Sequence, residues 1–320
     1  MSRSATYKPA LAWFAVIGSA WVFVLVALGA FTTTIGAGMA FPDWPLSNGS
    51  VNPHGWLTEI DKFAEHSHRL SGTVMGLITI ILAVWLHRVE ARAWLRRLGW
   101  WALGIVIFQG ILGGTRVRLD HLSVPGFDMS LGEMLRIPHG VLAQVYVCIL
   151  FAIAAGLSRA WVNNTLGRPG ARVRTLGWWC VVLLFIQLTV AVTMRHNHAG
   201  MAIPTFPYST AQGGWLPAMW DFRVALQFLH RVMAALIGLA VFAYAHFLWR
   251  EKSLAGPLRA ASFLLVALIV GQIALGAQVI WTGRSIVMTT GHVVFGALTL
   301  AVTFLVVFLT RRDTVERTSP

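Results

Sequence analysis

Ala37-Gly38-Met39-Ala40-Phe41-Pro42-Asp43-Trp44-Pro45 returns 162 residues later as Ala199-Gly200-Met201-Ala202-Ile203-Pro204-Thr205-Phe206-Pro207. The same offset carries His68-Arg69 onto His230-Arg231. Gln109-x-x-Leu112-Gly113 recurs at nearly that distance as Gln272-x-x-Leu275-Gly276, and His139 has its counterpart in His292. The chain is a duplicated unit, and each copy contains one pair of histidines.

Composition fixes the solvent of that unit. Hydrophobic residues make up 57% of the chain and charged residues 12%, with a mean hydropathy of +0.68. Soluble domains carry about 25% charged residues, so an integral membrane protein is expected. Apolar stretches fall near 11–33, 68–87, 98–115, 139–158, 176–194, 226–249, 259–281 and 286–310. Each approaches the roughly 20 residues a helix needs to cross a bilayer. The fold class is therefore all-α and integral to the membrane, with eight transmembrane helices as two tandem four-helix-bundle repeats. Four is an even number, so the copies enter the membrane in the same sense and form a parallel repeat. The N-terminal half spans 11–160, the C-terminal half 175–310, and 311–320 forms a tail.

A net charge of +13 raises the question of nucleic acid, and its distribution answers it. The termini and the even connections hold sixteen of the Lys and Arg residues, Arg3 among them, against four acids. The other face holds nine basic and eight acidic residues. That asymmetry is a topology signal: both termini face the cytoplasm of a cell inner membrane, and no nucleic-acid partner is implied. The first apolar run is too long for a signal-peptide core and reads as span one. Cys148 and Cys180 lie inside apolar spans and read as inert buried thiols.

Eleven histidines are present. His54, His66, His121, His196 and His198 fall in outer loops or at span edges, and His87 and His246 near cytoplasmic ends. His68, His139, His230 and His292 stand at the outer ends of the even-numbered spans, level with one another. Polar side chains at such positions are costly and tend to be functional. Neutral imidazole is a good iron ligand, and a four-helix bundle can hold a flat macrocycle between facing helices. Two bis-histidine haem sites follow, one per copy, with the four histidines as axial ligands of the iron. Zinc is disfavoured because the ligands lack the clustered spacing of a Cys/His site. Arg69 and Arg231, each next to its histidine, and Arg116, Arg136, Arg195 and Arg223 at outer span ends suit propionate carboxylates.

The copies differ at one informative place. Glu65 lies three residues before His68 on one helical turn, and Gln227 lies three before His230. A titratable carboxylate beside one site alone suggests proton transfer or oxygen chemistry there; the bland alternative is an exposed interfacial acid.

The duplicated four-helix unit, its four histidines and Glu65-x-x-His68-Arg69-Leu70-x-Gly72, with Phe41-Pro42-Asp43-Trp44-Pro45 upstream, resemble the heme A synthase family over about residues 11–310. The resemblance implies an oxidoreductase that converts heme O to heme A by successive hydroxylation of one porphyrin methyl group to a formyl, for haem-copper oxidase assembly. It implies that His68 and His139 address the substrate haem, that His230 and His292 bind heme b, and that Glu65 is the catalytic acid. Many bacterial members carry a cysteine pair in the first outer loop. This chain has none there and resembles the cysteine-free branch.

Heme O is then the substrate. Heme O synthase and an unidentified electron donor are the partners the resemblance brings with it, and homo-oligomer formation stays open. Two other readings compete: a di-haem b-type cytochrome taking electrons from quinol, and a transporter.

Overall fold

A backbone inside hydrocarbon finds no water, so its amides must bond within their own segment. The chain meets this demand eight times. The structure, a computed structural model, describes residues 6–126 and 128–317; Arg3, Phe127 and the last three residues of the tail lie outside them. The long helices are α1 (Pro9–Thr34), α2 (Ile60–Val89), α3 (Ala93–Arg118), α4 (Leu131–Leu157), α5 (Ala171–His196), α6 (Phe222–Arg250), α7 (Gly256–Trp281) and α8 (Ile286–Thr310). The mean hydropathy of their most apolar 18-residue windows runs from 1.4 to 2.5. The protein is an all-helical, multi-pass membrane protein.

Side chains set where the helices begin. Ser130 caps α4 by accepting the Glu133 amide while the Glu133 carboxylate accepts the Ser130 amide. Asp221 caps α6 and Ser285 caps α8 in the same N-terminal manner. Both α2 and α4 start eight residues before the apolar stretches that announce them, because their first turns carry Asp61, Lys62 and Glu65, or Glu133 and Arg136. The four histidines lie about two turns inside their helices, roughly 10 Å along the axis. Pro138, inside α4, removes a helical donor directly before His139.

Packing divides the helices into two rings. α1 touches α2 and α4, α2 touches α3, and α3 touches α4; α5 to α8 close on one another by the same pairings. Between the rings α4 lies against α8, flanked by α1 against α8 and α4 against α5.

The face bearing the termini is tied by aromatic and ionic contacts. A short helix, Arg159–Val162, follows α4 and buries Trp161, which stacks on Phe308 at 4.9 Å. Trp161 Nε1 donates to Glu316 at 2.6 Å from the C-terminal helix Arg312–Arg317. Glu90, fully buried, accepts from Arg92 Nε at 2.9 Å and Nη2 at 3.1 Å. Burial alone would raise the Glu90 carboxyl, yet the Arg92 guanidinium and amide hold it below the usual range. Cys148 and Cys180 are buried and unbonded, as expected.

Candidate functional site

Each histidine of the quartet is seated by the helix that precedes its own. His68 Nδ1 stands 3.2 Å from the Leu25 carbonyl of α1. One turn along α1 is Gly29, where a Cβ would come within 2.8 Å of His68 Cε1. On α3, Gln109 Nε2 donates to the His139 carbonyl at 2.8 Å, and a Cβ on Gly113 would lie 3.4 Å from that ring. The second half repeats this: Gln272 Nε2 donates to the His292 carbonyl at 3.2 Å, and a Cβ on Gly276 would lie 3.1 Å from His292 Cε1. The recurring Gln-x-x-Leu-Gly is therefore a histidine seat. Its glutamine fixes the neighbouring backbone and its glycine, lacking a Cβ, lets the imidazole lie flat against the helix.

His230 is held differently. Gln187 of α5 occupies the position of Leu25, and its Nε2 reaches the His230 carbonyl at 2.9 Å and Nδ1 at 3.0 Å. The rings of His230 and His292 face one another with centroids 6.4 Å apart and planes at 71°. Two imidazoles bonded to one metal at about 2 Å each would have centroids about 6 Å apart. The Nδ1 atoms of His139 and His292 are buried without a hydrogen-bond partner among the described residues. Among the described residues no three His, Cys, Asp or Glu side chains converge as a metal cluster. The donors are thus imidazoles, and the spacing of His230 and His292 fits a planar metallated macrocycle held between them.

Glu65 is no exposed acid: it is 3% accessible. Its Oε2 accepts the Phe41 amide at 3.0 Å and its Oε1 accepts Arg69 Nη2 at 2.6 Å. Arg69 also donates to the carbonyls of Phe41, Asp43 and Leu46. Gln227 performs the same task in the second half, accepting the Ile203 amide while Arg231 Nη2 donates to the Ile203 carbonyl at 2.9 Å. Both copies of the repeated loop are thereby clamped over the histidine end of their bundle, and Trp44–Pro45 and Phe206–Pro207 are cis in both. Asp43 braces the first loop through the amides of Asn48 and Gly49, each at 2.7 Å. Burial would raise the Asp43 carboxyl, but these amides and Arg69 hold it below its ordinary value.

A model of the cytochrome oxidase assembly protein family, COX15-CtaA, matches residues 12–304. The chain belongs to this family. Among its curated relatives, the heme A synthase of Shouchella clausii is 26% identical over 90% of this chain and 92% of its own length. The heme A synthase of Rhizorhabdus wittichii is 26% identical over 94% and 95%, and that of Geobacillus kaustophilus 25% over 89% and 86%.

The fold assigns partners to several further side chains. His66, assigned to a span edge, is buried in α2 and pairs through Nδ1 with Ser47 Oγ at 3.0 Å. His196 is the last residue of α5. Gln187 had a legible signal, since a glutamine opposite Leu25 breaks an apolar position, but only the fold shows which histidine it meets. Arg116 of α3 donates to the Gly38 carbonyl of the clamped loop, and Arg195 of α5 donates across the interface to Ala30 and Thr34 of α1.

Proposed function

We propose that this protein is a heme A synthase, an oxidoreductase that takes heme O as substrate and oxidises one porphyrin methyl to a formyl group. The observation that carries the proposal is the repeated seating of two histidines per half by the preceding helices in a member of this family, one half with a buried carboxylate at the loop clamp and the other with its amide. Written against water, the change from methyl to formyl adds one oxygen and releases four protons and four electrons.

The two halves act as tandem parallel repeats with divided labour. His68 and His139 hold the substrate haem in the N-terminal half, residues 11–160. His230 and His292 would hold a heme b in the C-terminal half, residues 175–310. When bound, heme b would supply a one-electron redox centre.

Glu65 is the catalytic carboxylate of the first half, a proton acceptor. Two of its roughly four lone-pair sites are occupied by Phe41 and Arg69, and the others can take a proton released at the substrate. The clamped loop Ala37–Pro45 covers the site and limits water. The membrane is a cell inner membrane with both termini cytoplasmic. Heme O synthase delivers the substrate, and a separate donor completes the electron balance.

Haem extraction and chromatography of the protein, expressed with and without heme O synthase, tests this. Heme O and heme A should accompany heme b only when the synthase is present. Heme b alone under both conditions would leave a di-haem electron-transfer cytochrome as the better account.

The histidine seat yields a second expectation. Gly276→Val places a branched side chain where even a Cβ would lie 3.1 Å from His292. The ring must move, and the b-type absorbance should fall severalfold with little change in the first half's haem. Equal loss of both haems would mean general unfolding.

A further inference from the structure

The two loop clamps differ in where they leave a charge. In the first half Glu65 forms an ion pair with Arg69 at 2.6 Å, so that guanidinium is neutralised inside the protein. Arg116 then bonds the Gly38 carbonyl, and no ion pair among the described residues includes it. In the second half Gly200 stands where Gly38 does, but Gln227 Nε2 donates to its carbonyl, at 2.9 Å. The counterpart of Arg116 there is Val279. Arg231 bonds the carbonyls of Ile203 and Tyr208 and has no carboxylate partner among the described residues. Each clamp therefore retains one partly buried guanidinium outside any ion pair among the described residues, Arg116 on α3 in the first half and Arg231 on α6 in the second, whereas Arg118, which donates to the Trp44 carbonyl at 3.1 Å, is exposed.

A half-buried cation without a counter-ion is costly, and a carboxylate with hydrogen-bond geometry is its natural complement. We propose that these guanidinium groups, Arg116 in the first half and Arg231 in the second, are the carboxylate-binding residues for the propionates of the two porphyrins, and that Arg69 is not. The inference rests on the haem reading of the histidine couples. It assigns Gln227 a purpose beyond the lack of an acid: it holds the loop as Glu65 does while leaving Arg231 charged and available. Arg231 is thus a ligand-binding group, and Gln227 a positioning residue that acts through it.

The chain supplies its own test. Gln227→Glu installs at i, i+4 the same pair that Glu65 and Arg69 already form, so the fold tolerates the arrangement. The full-length apoprotein carrying His68→Ala and His139→Ala, which leaves only the second site, is titrated with haemin and with haemin dimethyl ester. With Gln227 present, the diacid should bind about tenfold or more tighter than the ester, the span expected of a charge-assisted hydrogen bond. Gln227→Glu should bring that preference close to one while affinity for the ester is unchanged. Arg231→Gln should do the same, and it guards against a misfolded Glu variant. A preference that survives both substitutions overturns this inference alone. Failure of the Gln227 parent to bind either porphyrin overturns the haem reading itself, and the inference with it.

Discussion

Replacing His292 with alanine should remove the b-type absorbance of the purified protein by roughly tenfold or more while the helical content is preserved. His292 is held by Gln272, whose Nε2 donates to its carbonyl and lies 3.4 Å from its Nε2, and by contact with Gly276; its Nδ1 has no partner among the described residues. Little in the helix packing depends on its imidazole, so truncation should cost the ligand far more than the fold. Loss of a packed ring leaves a cavity worth about 2–4 kcal/mol, which a bundle of eight long helices can absorb. His230→Ala should behave alike, since the two rings face each other at 6.4 Å. Added imidazole should restore part of the spectrum in either variant. A b-type signal at full strength in both would refute the assignment of this couple.

Glu65→Gln should retain both haems and lose heme A formation by about a hundredfold or more, the scale of a general acid–base contribution. The second half indicates why the variant should fold: Gln227 already holds its loop by accepting the Ile203 amide. Glutamine at 65 can accept the Phe41 amide in the same way, but it cannot take a proton and it leaves Arg69 without its counter-ion. Heme O should then accumulate on the protein. Glu65→Asp separates the two tasks, since a shorter carboxylate keeps the acid but strains the bond to Phe41, and partial activity is the expected result. Normal product yield in Glu65→Gln would show that the carboxylate serves the loop alone.

The eight crossings were legible because hydrocarbon leaves a plain mark on composition. α8 begins at Ile286 and ends at Thr310, the limits read from its apolar run. The starts of α2 and α4 were not legible, because hydropathy reports the width of the apolar slab and not the length of a helix. Polar first turns, with Glu65 and Arg136 among them, extend past the slab with their backbone bonds intact. The histidine quartet was visible from its repetition, and so was the Gln-x-x-Leu-Gly seat, although its task was not. What Gln109 and Gln272 touch depends on which helix lies beside which. The clamp was hidden for a similar reason. Glu65 and Phe41 are 24 residues apart, and nothing local in either stretch announces the other. Spacing on the helix showed that Glu65 and His68 share a turn, but it could not show that the carboxylate was already engaged by the loop.

The contacts between the rings have a consequence for how such a chain can change. α1 and α4 of one ring meet α8 and α5 of the other in swapped order, with α4 against α8 at the centre. This is the self-complementary contact that two identical subunits make about a twofold axis. Two separate copies of one gene product would have to carry every substitution at both sites at once. Joined through the segment 163–170, the partners meet at the high effective concentration of a tether, and each can alter its own residues independently. An acid beside one couple and its amide beside the other is a difference that no homodimer of identical chains could encode.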